Sequence, residues 1–128
     1  MTQHTYWNLD GNLGGSDDNV LSQILSINGK SFLDTDQYLV PNGKILLTAD
    51  HLWMDFNKPK AIGQDIKQGT VTPSGGYDNA WVFNNWQPHQ VIQPRVTLRS
   101  LLTNITLQML TDQASVQFYR FYNSLFLL

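Results

Sequence analysis

Apolar and polar residues alternate along much of this chain with a period of two rather than 3.6. Thr103, Ile105, Leu107 and Met109 alternate with Asn104, Thr106 and Gln108, the pattern of a half-buried strand over Thr103–Thr111. Ser115–Tyr122, rich in aromatic and β-branched residues, reads as another. The link Thr111-Asp112-Gln113 is turn-like, so these two segments are expected to form a hairpin. Ala80–Asn84 and Gln90–Leu98 read as two more strands, interrupted by Pro88 and Pro94. Val20–Asn28 and Lys30–Leu33 look like a pair turning at Asn28-Gly29, the strongest short hairpin signal in the chain. Thr2–Leu9 is a further expected strand, followed by a loop over Asp10–Gly15. A turn or two of helix is expected only over Lys60–Lys67, behind Pro59. The pattern predicts an all-β protein of antiparallel sheets, with long Gly- and Asn-rich loops and very little helix.

The length of 128 residues suits one domain. The chain opens on a strand and closes on the apolar run Ser124–Leu128. Residues 1–128 therefore read as a single partial domain whose sheet partners are missing, with exposed strand edges open to self-association.

Composition narrows the chemistry. Only 14% of residues are charged, so the polar surface is built from Asn, Gln, Ser and Thr. The net charge is -2 without a basic or acidic run, which leaves no electrostatic footprint for nucleic acid or an anionic membrane. A neutral, amide-rich surface with four Trp, five Tyr and six Phe suits a neutral polyol better than a polyanion. Most of the tryptophans, Trp7, Trp53, Trp81 and Trp86, are expected in the core rather than in sugar stacking. Cysteine is absent, which rules out disulfides and a thiolate nucleophile. The first residues lack the basic and apolar regions of a secretory signal, and no apolar run is long enough to span a membrane. A cytoplasmic location follows as the expectation. Without secretion, the formal sequon Asn104-Ile105-Thr106 is expected to stay unused. His4, His51 and His89 are too scattered to suggest a metal site, and the latter two read as solvated loop residues. No serine-hydrolase elbow, phosphate loop or H-E-x-x-H motif is present, and no cofactor is expected.

Five blocks carry a resemblance. Thr2-Gln3-His4-Thr5-Tyr6-Trp7-Asn8-Leu9-Asp10-Gly11 resembles T-N-H-x-Y-F/W-N-L-x-G, with Gln3 in place of Asn. Leu25–Gly43 is similar to a following block that ends in I-P-T-G. Met54-Asp55-Phe56-Asn57-Lys58-Pro59-Lys60-Ala61-Ile62-Gly63 resembles F-D-F-R-K-P-K-x-I-G. Gly76-Tyr77-Asp78-Asn79-Ala80-Trp81-Val82-Phe83 resembles G-Y-D-H-x-F/W-V-L, and Ser115-Val116-Gln117-Phe118-Tyr119 resembles x-Q-F/V-Y-T. These are motifs of the aldose 1-epimerase (galactose mutarotase) family, in family order from position 2 to 119. Their wording is closer to fungal members than to bacterial ones. The resemblance implies the C-terminal part of a galactose-mutarotase-like β-sandwich (supersandwich).

The implied function is interconversion of the α and β anomers of a free aldose of the galactose or glucose type. By the resemblance, His4 is the general acid, Asp78 binds sugar hydroxyls, and Gln117 lines the floor of the cleft. An imidazole suits an acid that must lose and regain a proton near neutral pH. Strand alternation puts His4, Tyr6 and Asn8 on one face. Asp78 can also be read as a turn residue behind Gly75-Gly76, and His4 as an ordinary half-buried strand residue. After Tyr119 the sequence departs from the family's T-G-N-F/W. The downstream glutamate that serves the family as base has no counterpart, and neither has the arginine and second histidine of the N-terminal half. Three readings follow: a mutarotase-like chain that is nearly inactive alone, a non-catalytic carbohydrate-binding protein of the same fold, or a structural fragment with no ligand.

Overall fold

The computed structural model describes residues 4–11, 19–68, 76–121 and 124–127. Strands β1 (Thr5–Tyr6), β2 (Ile24–Ile27), β3 (Ser31–Thr35), β4 (Pro41–Leu47), β5 (Lys60–Ala61), β6 (Tyr77–Val82), β7 (Gln93–Arg99), β8 (Thr106–Thr111), β9 (Ser115–Phe121) and β10 (Ser124–Leu127) build two antiparallel sheets. One sheet has the order β1-β10-β9-β6-β3-β4 and the other β5-β2-β7-β8. A single helical turn, α1 (Asn19–Ser22), and two 3-10 turns at Thr48–Asp50 and Leu52–Met54 complete the regular structure of the described residues. None of their helices is long and apolar enough to cross a membrane. The all-β expectation holds.

Alternation on the central strands makes the core. In β6 the residues Tyr77, Asn79 and Trp81 are buried while Asp78, Ala80 and Val82 are half-buried. Their cross-strand partners Val116 and Phe118 on β9 and Phe32 on β3 face the same way, because opposed residues of an antiparallel ladder share a face. From the smaller sheet, Leu25 and Ile27 on β2 lie opposite Leu98 and Val96 on β7, which in turn oppose Leu107 and Met109 on β8. The two inner faces merge into one hydrophobic cluster, as a β-sandwich requires. Its centre is aromatic. Phe56 meets Tyr77, Trp81 and Phe118 edge-on, with centroids 5.2, 5.8 and 5.7 Å apart. Trp81 buries its ring completely and satisfies its indole N–H on the Met54 carbonyl at 2.9 Å.

Several expectations need correction. Asn28-Gly29 is not a hairpin turn: β2 belongs to the smaller sheet and β3 to the larger one. A type I′ turn needs positive φ at both central residues, and neither has it. Gly29 is there for another reason, because a Cβ on it would lie 2.7 Å from the Val82 carbonyl oxygen. The supposed hairpin at Thr111-Asp112-Gln113 is likewise a passage between sheets, with β8 on β7 and β9 on β6. It is held from afar by the Trp86 indole N–H donating to the Asp112 carbonyl at 2.7 Å and Phe83 N donating to the Ala114 carbonyl at 2.9 Å.

Lys60–Lys67 is not helical, because Lys60 and Ala61 pair with β2 as β5 and turns follow. The segment from Val20 begins as α1 before it becomes β2. Thr2 and Gln3 lie outside the described residues, and the first strand is only Thr5–Tyr6. The hairpin of β3 and β4 has its loop tied by Asp36, whose carboxylate accepts from Tyr38 N and Val40 N at 2.8 and 3.0 Å.

Candidate functional site

The outer face of the larger sheet carries the residues singled out by sequence. Asp78 lies within β6, so the reading of it as a turn residue is overturned. Its side chain points away from Tyr77 and Trp81, and its ladder partner on β9 is Tyr119. Gln117, two residues before Tyr119, shares that face and donates from Nε2 to Asp78 Oδ1 at 2.7 Å. This bond fixes the carboxylate and occupies one oxygen, leaving acceptor capacity on a strand-held anion.

The row continues across the sheet. Tyr119 is opposite Phe126 of β10, and Phe126 is opposite Tyr6 of β1. Tyr6, Tyr119 and Asp78 therefore occupy one face, their backbones spread over three strand spacings, about 14 Å. Burial first, then the Asp78 carboxylate, then Tyr6 push the Tyr119 phenol above its ordinary value. His4 sits just before β1, exposed, with its ring stacked on Tyr6 at 5.2 Å and 25°. His4, Asp78 and Gln117 are thus on one side of one sheet.

Behind this face, the exit from β1 is anchored in the protein. Leu9 and Asp10 turn inward and are buried. Asp10 Oδ2 accepts from Gln23 Nε2 at 3.1 Å, and its other oxygen accepts from the Ser100 hydroxyl. Ser100 Oγ accepts in turn from Leu102 N and Thr103 N, and Thr103 Oγ1 donates to the Leu9 carbonyl at 2.9 Å. Asn8 closes the turn by accepting from Asp10 N at 3.1 Å and donating to the Gly11 carbonyl at 3.0 Å. Sequence reasoning read Asp10 as a loop residue. Nothing local marks a carboxylate whose partner is 90 positions away.

The remaining motif residues serve structure. Lys60 Nζ donates to the Leu52 and Trp53 carbonyls at 2.9 and 3.0 Å, pairs with Asp65 at 2.8 Å, and lies 4.7 Å over the Phe56 ring. Arg95 is buried over Phe83 and clamps the loop after β6 through the Asn84 carbonyl and Gln90 Oε1, at 2.8 and 2.9 Å. His51 is not simply solvated, since it packs edge-on between Phe32 and Trp53 at 5.5 and 5.2 Å. His89 is exposed. Trp81 and Trp53 join the core, whereas Trp7 is exposed and Trp86 holds the β8–β9 passage. Among the described residues no group of three or more His, Cys, Asp or Glu could hold a metal ion.

Comparison with known proteins bears on the family and the fold. A family model described as aldose 1-epimerase matches residues 1–123. An aldose 1-epimerase from Haemophilus influenzae is 33% identical over 120 residues, covering 93% of this chain and 33% of that protein. A probable aldose 1-epimerase from the fungus Arthroderma benhamiae is 30% identical over 133 residues, covering 93% of this chain and 30% of that protein. In fold, the crystal structure of the GalM/aldose epimerase homologue from C. elegans matches with a TM-score of 0.75 at 22% identity, over 97% of this chain and 39% of that one. The chain spans about a third of the length of the curated relatives it matches. By its ordered motifs, its sandwich and these matches, the chain belongs to the aldose 1-epimerase family.

Proposed function

We propose that this chain forms part of the sugar cleft of an aldose 1-epimerase and that, as these 128 residues, it binds aldoses without appreciable turnover. The family reaction opens the pyranose ring, lets the C1–C2 bond rotate, and recloses the ring on the other face. A base must take the anomeric hydroxyl proton while an acid protonates the ring oxygen. His4 is the acid in this reading, held at the margin of the sheet by its stack on Tyr6. Asp78 accepts hydrogen bonds from sugar hydroxyls, with Gln117 orienting it. The observation that carries the reading is the shared face: Tyr6, on which the imidazole stacks, lies in one row with Tyr119 and Asp78 on the same side of the sheet.

The glutamate that serves the family as base has no counterpart in these residues, which contain no glutamate at all. A positioned general acid or base contributes roughly 10²–10⁴-fold, so the acid alone leaves little above spontaneous anomerisation. The cysteine-free composition fits work in a reducing compartment such as the cytoplasm. Polarimetry of freshly dissolved α-D-galactose or α-D-glucose tests the turnover claim. The expected decay is the spontaneous one. A clear acceleration that disappears in His4→Ala contradicts it. Titration separates the ligand-free alternative: saturable millimolar-range binding weakened by Asp78→Ala supports the sugar cleft, and absence of saturation rejects it.

A further inference from the structure

The two ends of the row, imidazole and carboxylate, are separated by more backbone than either side chain spans. What fills the interval is Tyr119, whose strand β9 lies between β6 and β10. Tyr119 is directly opposite Asp78 on one side and, through Phe126, in line with Tyr6 on the other. It is half-buried on the outer face, beside the Gln117–Asp78 bond. We infer that Tyr119 is a sugar-binding residue of the cleft floor, its ring a platform for the aldose and its hydroxyl a neutral donor to a sugar oxygen.

Three features support this role. An aromatic ring offers an apolar face to a sugar's C–H surface and a polar tip to its hydroxyls, at little cost in side-chain freedom. Burial first and the Asp78 carboxylate second hold the phenol above its ordinary value, so it stays a donor throughout the neutral range. A carboxylate accepts only and a neutral phenol can donate, so Asp78 and Tyr119 address complementary hydrogen-bonding groups of one polyol.

The inference rests on the sugar-cleft reading, and the experiment separates the two. The full chain is titrated with D-galactose by NMR, following the protein spectrum and transfer from the Tyr119 ring protons to sugar C–H protons. The expected wild-type result is saturable binding with direct Tyr119-to-sugar transfer. Tyr119→Phe should keep the transfer and weaken binding about fivefold, the loss of one neutral hydrogen bond. Tyr119→Ala should weaken it further, and the unchanged spectrum of Tyr119→Phe guards against misfolding as the cause. If Asp78→Ala impairs binding but both Tyr119 variants bind like wild type, or no transfer from the ring is seen, the role of Tyr119 is overturned while the cleft stands. If wild type shows no binding, or Asp78→Ala binds equally well, the cleft itself fails and Tyr119 with it.

Discussion

Single residues in this chain carry two kinds of work that local sequence does not distinguish. Lys60 stands in one of the family motifs, and its ammonium is spent on two carbonyls and Asp65, with side chains only 10% and 20% exposed. Lys60→Ala should cost about 2–3 kcal/mol, because it strands a carboxylate and two acceptors. Urea denaturation measures this, and an unchanged midpoint contradicts the structural role. Tyr77 makes a second test. Burial first and the Asp65 carboxylate second push its phenol well above its ordinary value of 10.0. The folded chain thus holds this proton more tightly than the unfolded chain does. That contribution is intact below pH 10 and is lost as pH climbs toward the raised folded value, by about 1.4 kcal/mol per pH unit. Denaturation midpoints between pH 8 and 11 should fall less steeply in Tyr77→Phe than in wild type, and parallel curves refute the assignment. Family motifs combined with alternation singled out His4, Asp78 and Gln117 as candidates, and the structure puts them on one side of one sheet. Tyr119 shares the parity of Gln117, and Tyr6 that of His4, so the signal for both was present in the pattern. Asp10 was not legible, since its burial is created by Gln23 and Ser100.

At the level of elements, the sequence announced most strands but not their partners. Alternation is a property of one strand and its environment, so Ser115–Tyr122 and Gln90–Leu98 could be read within a few residues of β9 and β7. Which sheet a strand joins depends on contacts far along the chain, and both supposed hairpins failed there. β4 was missed because Pro41-Asn42-Gly43 has the composition of a break rather than of a strand. The sheet-switching role of Gly29 gives a prediction at this scale. A methyl at Gly29 meets the Val82 carbonyl, so Gly29→Ala should destabilise by about 1–3 kcal/mol, as overpacking does. Were the dipeptide an ordinary surface turn, urea midpoints would barely move.

Over the whole molecule, two sheets divide the labour. The smaller sheet closes the core with Leu25, Ile27, Val96 and Leu98, while the larger one gives its inner face to that core and its outer face to the candidate site. Rigid central strands then hold Asp78, Gln117 and Tyr119 in register, whereas His4 reaches the same face only through the two-residue β1. The Asp10–Ser100 anchor keeps that short strand in place, so Ser100→Ala should weaken sugar binding although Ser100 is buried away from the site. Equal affinity in that variant counts against the anchor. The most direct test of the account is an NMR titration of the chain with D-galactose that follows the His4 imidazole and the Gln117 side-chain amide together. Both signals should move along a single saturation curve. Movement of one without the other, or of neither, contradicts a shared sugar site.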